Sequence, residues 1–378
     1  MKYIAFYLPQ FHELPENNKI WGKGFTEWTN VKNAKPLFDG HHQPVVPLNH
    51  NYYDLTHPSV MKWQIDLAKK YGIYGFCFYH YWYNGHIIMN KPIEMLLGDK
   101  SMDIPFCICW ANHEWSNAWK TSKKKEVYFS QDYSDKGEWR THYEYLLPYL
   151  KDVRYIRIED KPLVVIYDAE VPQMKEMLKC WNDWAIQDGI EKGLTFAYEN
   201  VMPDISSNFD DSPFDFDIEY QPQYYRVLSV QKKRYNSFAD KTKRFIENKL
   251  KLSIPEWFKE LFRKDVLTRY SYDEAWKWIL NMKPVSPKSV PGAFVNVDTT
   301  PRRQERGVIS IGMTPEKLEK YLIQLVEKTK NEYKRDMIFV FAWNEWAEGA
   351  YMEPDERWKY GVLEAFKNSL IKTGEMPK

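Results

Sequence analysis

Short apolar runs alternate with amphipathic stretches about eight times along this chain, and that alternation limits the available folds more than any other feature. The strand pattern begins at once, over residues 3–8, and Pro9 stops it. Further strand patterns cover 73–78, 104–110, 163–167, 194–198, 217–220, 292–297 and 337–342. Helical periodicity lies between them over 59–71, 136–150, 174–186, 314–328 and 357–371. Val60, Trp63, Leu67, Ala68 and Tyr71 share one face of the first of these, which Gly72 ends, and Thr314-Pro315-Glu316 opens the fourth with a cap residue and a first-turn proline. Continuous apolar strands that alternate with helices predict a parallel sheet covered on both faces.

Such a sheet closes as a (β/α)8 barrel or stays open and doubly wound. The strand ends decide between them. Almost every predicted strand finishes in polar and aromatic residues: Tyr7-Leu8-Pro9-Gln10, Tyr79-His80-Tyr81-Trp82, Trp110-Ala111-Asn112-His113-Glu114, Tyr167-Asp168, Tyr198-Glu199-Asn200, Glu219-Tyr220-Gln221, Asp298-Thr299 and Trp343-Asn344-Glu345. A barrel brings all these ends to one face, whereas an open sheet needs chemistry only near its switch point. No glycine-rich phosphate loop follows the first strand. The sequence therefore predicts an α/β protein, a (β/α)8 TIM barrel, as one domain over 1–378 with long βα loops. Its 378 residues fit, since such barrels run from about 200 to over 400. The stretch from Gln10 to about Asp54 reads as one long loop, uncommon without a function.

One segment breaks the pattern, a basic insertion near 226–270. Between Arg226 and Arg269, 13 Lys or Arg stand against 5 Asp or Glu, in a chain whose net charge is +1. Trp257, Phe258, Leu261, Phe262 and Val266 form an amphipathic pattern after Pro255. The segment reads as a barrel helix with a solvated basic face, or as a surface for weak contact with a membrane or an anionic ligand. The chain as a whole is balanced, which gives no pull toward nucleic acid. No run approaches the roughly 18 apolar residues of a membrane span, and no secretory leader pattern precedes the first strand. Cys77, Cys107, Cys109 and Cys180 lie in apolar or amphipathic runs, as small hydrophobes of a reducing compartment do, so a cytoplasmic protein is expected.

The strongest chemical signal is Trp343-Asn344-Glu345-Trp346-Ala347-Glu348-Gly349, after the last strand. A carboxyl beside indole rings is poorly solvated and keeps its proton to higher pH, while a neighbour held by amides stays ionised. Two carboxyls with separated pKa values are what glycosidic bond cleavage uses. A Trp-rich turn whose glutamates pair or cap the next helix is the competing structural reading.

These residues resemble something known. The motif looks like the Asn-Glu-Trp-x-Glu-Gly signature of glycoside hydrolase family 99 endo-mannosidases and of WbsX-like proteins of bacterial polysaccharide gene clusters. Ala5-Phe6-Tyr7-Leu8-Pro9-Gln10-Phe11-His12, Trp21-Gly22-Lys23-Gly24-Phe25-Thr26-Glu27-Trp28, Gly75-Phe76-Cys77-Phe78-Tyr79-His80-Tyr81-Trp82 and Trp110-Ala111-Asn112-His113-Glu114 are similar to the WbsX-like group in particular. The resemblance implies a retaining reaction in which the sugar's own 2-hydroxyl attacks its anomeric carbon. It implies Glu345 as the base for that hydroxyl and Glu348 as the acid/base at the glycosidic oxygen. The spacing of the two glutamates alone does not separate retention from inversion.

Candidate sugar-binding groups are Tyr7, Gln10, Tyr79, Tyr81, Trp82, Trp110, Asn112 and Tyr167 at strand ends, with Trp343, Asn344 and Trp346 in the motif. Aromatic content, 16 Trp, 27 Tyr and 20 Phe, serves either packing or sugar stacking. Glu27 and Trp28 suit a lid or rim over the barrel mouth. Asp298 either holds a hydroxyl, orients a catalytic glutamate, or caps the turn Thr299-Thr300-Pro301-Arg302-Arg303. His41, His42, His80, His113 and Glu114 lack metal-ligand spacing, so neither a metal nor another cofactor is expected. The leading expectation is a retaining glycoside hydrolase acting on an oligosaccharide or polysaccharide of bacterial or host origin. The alternatives are a glycosyltransferase of O-antigen or capsular polysaccharide (lipopolysaccharide) biosynthesis, weakly suggested by Asp215-Phe216-Asp217, and a carbohydrate-binding protein without turnover.

Overall fold

A computed structural model of the protein describes residues 1–116, 126–201, 209–231 and 267–376. Nine parallel strands form its centre: β1 (Lys2–Tyr7), β2 (Ile73–Tyr83), β3 (Phe106–Trp110), β4 (Lys161–Ile166), β5 (Thr195–Asn200), β6 (Phe216–Glu219), β7 (Ser289–Val290), β8 (Gly292–Phe294) and β9 (Met337–Phe341). They pair in the order β7-β6-β5-β4-β3-β2-β1-β9-β8. β7 and β8 are two halves of one run separated by Pro291, which has no N–H to give to a ladder. One half pairs with β6 and the other with β9, so the interrupted run brings the sheet round to near closure. The expected barrel is what the chain forms, and its strand ends converge on one face.

Longer helices cover the outside, and short ones sit in the loops at the strand ends. α1 (Pro15–Trp21), α2 (Glu27–Asn33), α3 (Pro58–Lys70), α4 (Lys91–Gly98), α5 (Lys136–Leu150), α6 (Met174–Gln187), α7 (Tyr272–Asn281), α8 (Thr300–Arg303), α9 (Pro315–Lys328) and α10 (Gly361–Lys372) appear in chain order. Two of them correct the reading of 10–54 as one loop. α1 starts on a first-turn proline, and α2 on a reciprocal capping box between Thr26 and Thr29. These short helices lack a long apolar stripe, which hid them from a periodicity reading. The last helix begins at Gly361, because the Asp355 carboxylate accepts the Trp358 N–H at 2.5 Å and holds the preceding residues in a turn.

β2 runs five residues beyond the predicted 73–78, then reverses through Asn84-Gly85 to pair with His86–Ile88. Side chains alternate across a strand, so Tyr79 and Tyr81 reach the barrel mouth while His80 and Trp82 turn outward. Outside, Trp82 stacks on His142 of α5 at 4.7 Å, and Trp110 meets His142 and Trp181 of α6. Cys77, Cys107 and Cys109 are buried in β2 and β3; Cys180 is partly buried, and all four are free thiols.

Most of the basic insertion, 232–266, lies outside the described residues, including the amphipathic pattern around Trp257. Its flanks are a helical turn at Arg226–Gln231 and a strand, Thr268–Ser271, parallel to Val308–Ile311. Among the described residues, no helix is long and apolar enough to cross a membrane.

Candidate active site

A cavity of about 630 Å³ opens at the strand ends. Gln10, Glu27, Tyr79, Tyr81, Tyr167, Tyr220, Glu345 and Glu348 are part of its wall, with Arg226, Arg302 and Arg303. Its size is that of a small-molecule site, about 300–1,000 Å³.

Arg302 organises the acidic side. Its Nε donates to Glu27 Oε2 at 3.1 Å, its Nη2 to Glu345 Oε2 at 3.0 Å and its Nη1 to Glu348 Oε1 at 2.5 Å. Burial works against the arginine's charge, but these three carboxylates outweigh it and hold Arg302 firmly protonated. One cation faces three potential anions, so a proton shared among the carboxyls relieves the surplus. Glu27 is buried at least as deeply, at 2% exposed, but of the two motif glutamates burial favours Glu345 as the holder. Its side chain is 7% exposed against 27% for Glu348. Desolvation, with Glu348 and Glu27 adding to it, outweighs the nearby Arg302 and raises the Glu345 pKa to about 8.

The other residues of the motif build the support. Asn344 grips the backbone of Leu8 twice: its Oδ1 accepts the Leu8 N–H at 2.8 Å and its Nδ2 donates to the Leu8 carbonyl at 2.9 Å. Trp343 and Trp346 donate their indole N–H groups to the two oxygens of buried Glu353, at 3.1 and 2.6 Å. Tyr53 and Gln64 complete that carboxylate's shell, and Tyr7 donates to Gln64. Gly349 closes the loop at φ +66°, where a Cβ would stand 2.7 Å from Asp298 N. The Asp298 N–H in turn donates to the Glu348 carbonyl at 2.7 Å.

A family described as Glycosyltransferase WbsX matches residues 3–366. The chain belongs to that family. Two curated relatives, both titled "Uncharacterized protein WxcX", come from two strains of Xanthomonas campestris pv. campestris. Each is 32% identical over 99% of the chain. The chain spans about half the length of these relatives, 50% in both cases. Among solved structures, the GH99 endo-alpha-mannosidase from Bacteroides thetaiotaomicron matches with a TM-score of 0.54 at 13% identity, covering 99% of this chain and 98% of that one. A protein titled "Glycoside hydrolase-like protein" matches at 0.53 and 13%, covering 97% and 93%. At these identities the likeness is one of fold.

Within this WbsX-family chain, seven of the residues singled out from sequence line the cavity: Gln10, Glu27, Tyr79, Tyr81, Tyr167, Glu345 and Glu348. The rest lie outside its lining and correct the expected sugar contacts. Tyr7 is fully buried beneath the mouth on Gln64. Trp28 packs on Phe11 and Trp346 and donates to the Tyr53 carbonyl. Trp82 and Trp110 sit between sheet and helices, because an even step along a strand points away from the mouth. Asn112 clamps the Asp168 backbone, accepting its N–H at 2.7 Å and donating to its carbonyl at 2.8 Å. Trp343, Asn344 and Trp346 are the scaffold just described.

Asp298 takes a capping role. Its Oδ1 accepts from Thr300 N and Oγ1, and its Oδ2 from His41 and Gln43, a set that outweighs burial and lowers its pKa. That cap starts α8, the short helix that carries Arg302. The D-x-D residues lie at the start of β6, at the opposite end of the strands. Asp215 accepts from the Phe196 N–H and Asp217 from Ser286 and Ser289, which uses their oxygens within the protein. Arg302, Arg303, Arg226, Gln223 and Tyr220 are among the wall residues that the sequence reading does not assign, as are His113, Glu114 and Trp115. An arginine after a strand end has no periodic signature, and Arg226 was read only as the start of a basic segment.

Proposed function

We propose that this WbsX-family protein is a carbohydrate-active enzyme, a retaining glycoside hydrolase whose working groups are Glu345 and Glu348. The observation that carries this reading is the pair of carboxyls on one cavity at the barrel mouth, unequal in burial and bridged by a single guanidinium. One proton over two carboxyls is the protonation state that acid–base cleavage uses. In the proposed reaction the saccharide 2-hydroxyl gives its proton to Glu345 as O2 bonds to C1. The glycosidic C1–O bond breaks, and Glu348 protonates the departing oxygen. Water then opens the C1–O2 bond with the roles reversed. Tyr79, Tyr81, Tyr167 and Gln10 supply ring faces and hydrogen bonds around the sugar.

The resting proton on Glu345 makes the pair testable. Either assignment of acid and base works only from the singly protonated pair, so kcat/KM for the free enzyme should fall as pH rises through about 8. A kcat/KM that keeps climbing above that pH contradicts a shared proton. Glu345→Gln and Glu348→Gln should each lower the release of reducing ends from an α-mannoside-containing glycan by at least about 100-fold. Full turnover in both folded variants refutes the reading. The family's description supports a second one, glycosyl transfer. Product formation that needs a sugar nucleotide donor, with no reducing ends released without it, favours transfer.

A further inference from the structure

The positive charge of the cavity is unevenly committed. Each nitrogen of the Arg302 guanidinium donates to one of Glu27, Glu345 and Glu348. Arg226 and Arg303 line the same cavity from two different strand-end loops, after β6 and after β8. Among the described residues, neither forms an ion pair or a side-chain hydrogen bond. Tyr220 and Gln223, from the same β6 loop as Arg226, complete this part of the wall.

Two guanidinium groups on one cavity wall, without a partner among the described residues, repel, and an anion bound between them would relieve that repulsion. Burial lowers the Arg303 pKa, and Arg226, Arg302 and Arg306 lower it further against the attraction of Glu348. Arginine suits oxyanions in particular: its planar fork meets two oxygens of a phosphate or carboxylate at once. The cavity, at about 630 Å³, has room for a sugar at the carboxyl pair and a charged group beside it.

We propose that Arg226 and Arg303 form an anion subsite of this cavity, and that the saccharide handled at Glu345 and Glu348 carries an oxyanion, a phosphate or a carboxylate. The inference rests on the saccharide reading of the cavity and narrows it to charged glycans or glycosyl phosphates. The acidic cluster and the anion subsite then share the mouth without conflict, because Arg302 neutralises part of the former and the arginines lack a carboxylate partner among the described residues.

Calorimetric titration of the full chain with mannose, mannose 1-phosphate and glucuronic acid tests this. At least one charged sugar should bind about tenfold or more tighter than mannose at low salt, with the margin shrinking in high salt. Whichever charged sugar wins identifies the oxyanion. In the double variant Arg226→Gln/Arg303→Gln the margin should vanish while mannose affinity stays within about twofold; Arg226→Lys/Arg303→Lys, which keeps the charge, should retain part of it. Equal affinities for all three sugars, or a margin that survives the glutamine variant, overturn the proposal. The two readings separate with Glu345→Gln/Glu348→Gln, which should lose turnover but keep the margin. If no sugar binds, yet inorganic pyrophosphate binds and is lost in Arg226→Gln/Arg303→Gln, the anion subsite stands and the saccharide reading falls.

Discussion

Arg302 shows how much one side chain can decide. It is 14% exposed and touches three carboxylates that come from positions as far apart as 27 and 348. Replacing it with methionine keeps the stem but leaves Glu27, Glu345 and Glu348 facing one another without a counter-charge. Breaking a buried ion pair in this way costs about 3–5 kcal/mol. Arg302→Met should therefore lower the urea midpoint by an equivalent amount and raise the pH at which Glu345 ionises. Arg302→Lys should fall between the two, since an ammonium keeps the charge but not the three-way fork. A methionine variant as stable as the parent would mean that the three carboxyls are already largely neutral.

At the scale of the element, the loop after β9 divides its residues between two tasks. Glu345 and Glu348 face the cavity, while Trp343, Asn344 and Trp346 reach down to Glu353 and Leu8. Gly349 is the point where the loop has no room for a side chain. Gly349→Ala should cost about 3 kcal/mol, strain at positive φ plus a displaced Asp298 backbone. Gly189→Ala is the control, because its φ is +91° but nothing stands within 4 Å; it should cost only about 1 kcal/mol. Equal losses in denaturant melts would show that the contact with Asp298 is unimportant. This loop also marks what was legible beforehand. The acidic residues were visible as a motif, but the depth of the indoles was not, since Trp346 is held by Glu353, a residue outside the motif. The fate of Tyr79, His80, Tyr81 and Trp82 was legible in principle: a strand continued past Phe78 assigns odd positions to the mouth and even ones to the helices. Asn112 and Asp298 were harder, because the same polar side chain serves a backbone clamp or a ligand, and only its neighbours decide.

For the whole molecule, the alternation of apolar runs and helical periods pointed to a parallel sheet covered on both faces, and the polar and aromatic strand ends chose the barrel over an open sheet. Short helices such as α1 and α2, and the break at Pro291, left weaker traces. The assembled barrel also buries more carboxyls than it neutralises. Burial raises the pKa of Glu199 to about 8 and of Glu219 and Glu353 to about 7, as it does for Glu345, all from an ordinary value of 4.5. These groups bind more protons folded than unfolded, so their contribution is complete below pH 4.5 and drains away as pH rises through 7 to 8. His80 and His142, buried and held neutral, act the other way, but only as pH falls below 6.5. Between pH 6.5 and 8, stability should therefore decline, by at most about 1.4 kcal/mol per pH unit for each group. Glu199→Gln should flatten the decline in urea titrations. A stability that climbs across this interval would contradict the buried state of these carboxyls.

The guanidinium that joins Glu27 to Glu345 and Glu348 has a consequence for synthesis. β1 gains its second neighbour only when β9 arrives, and the cluster gathers its members from early and late stretches of the same polypeptide. A nascent chain that has not yet emerged as far as Glu345 therefore holds Glu27 and Arg302 without the two glutamates that the arginine also binds. The cluster of three carboxyls on one guanidinium is complete only as the ring shuts.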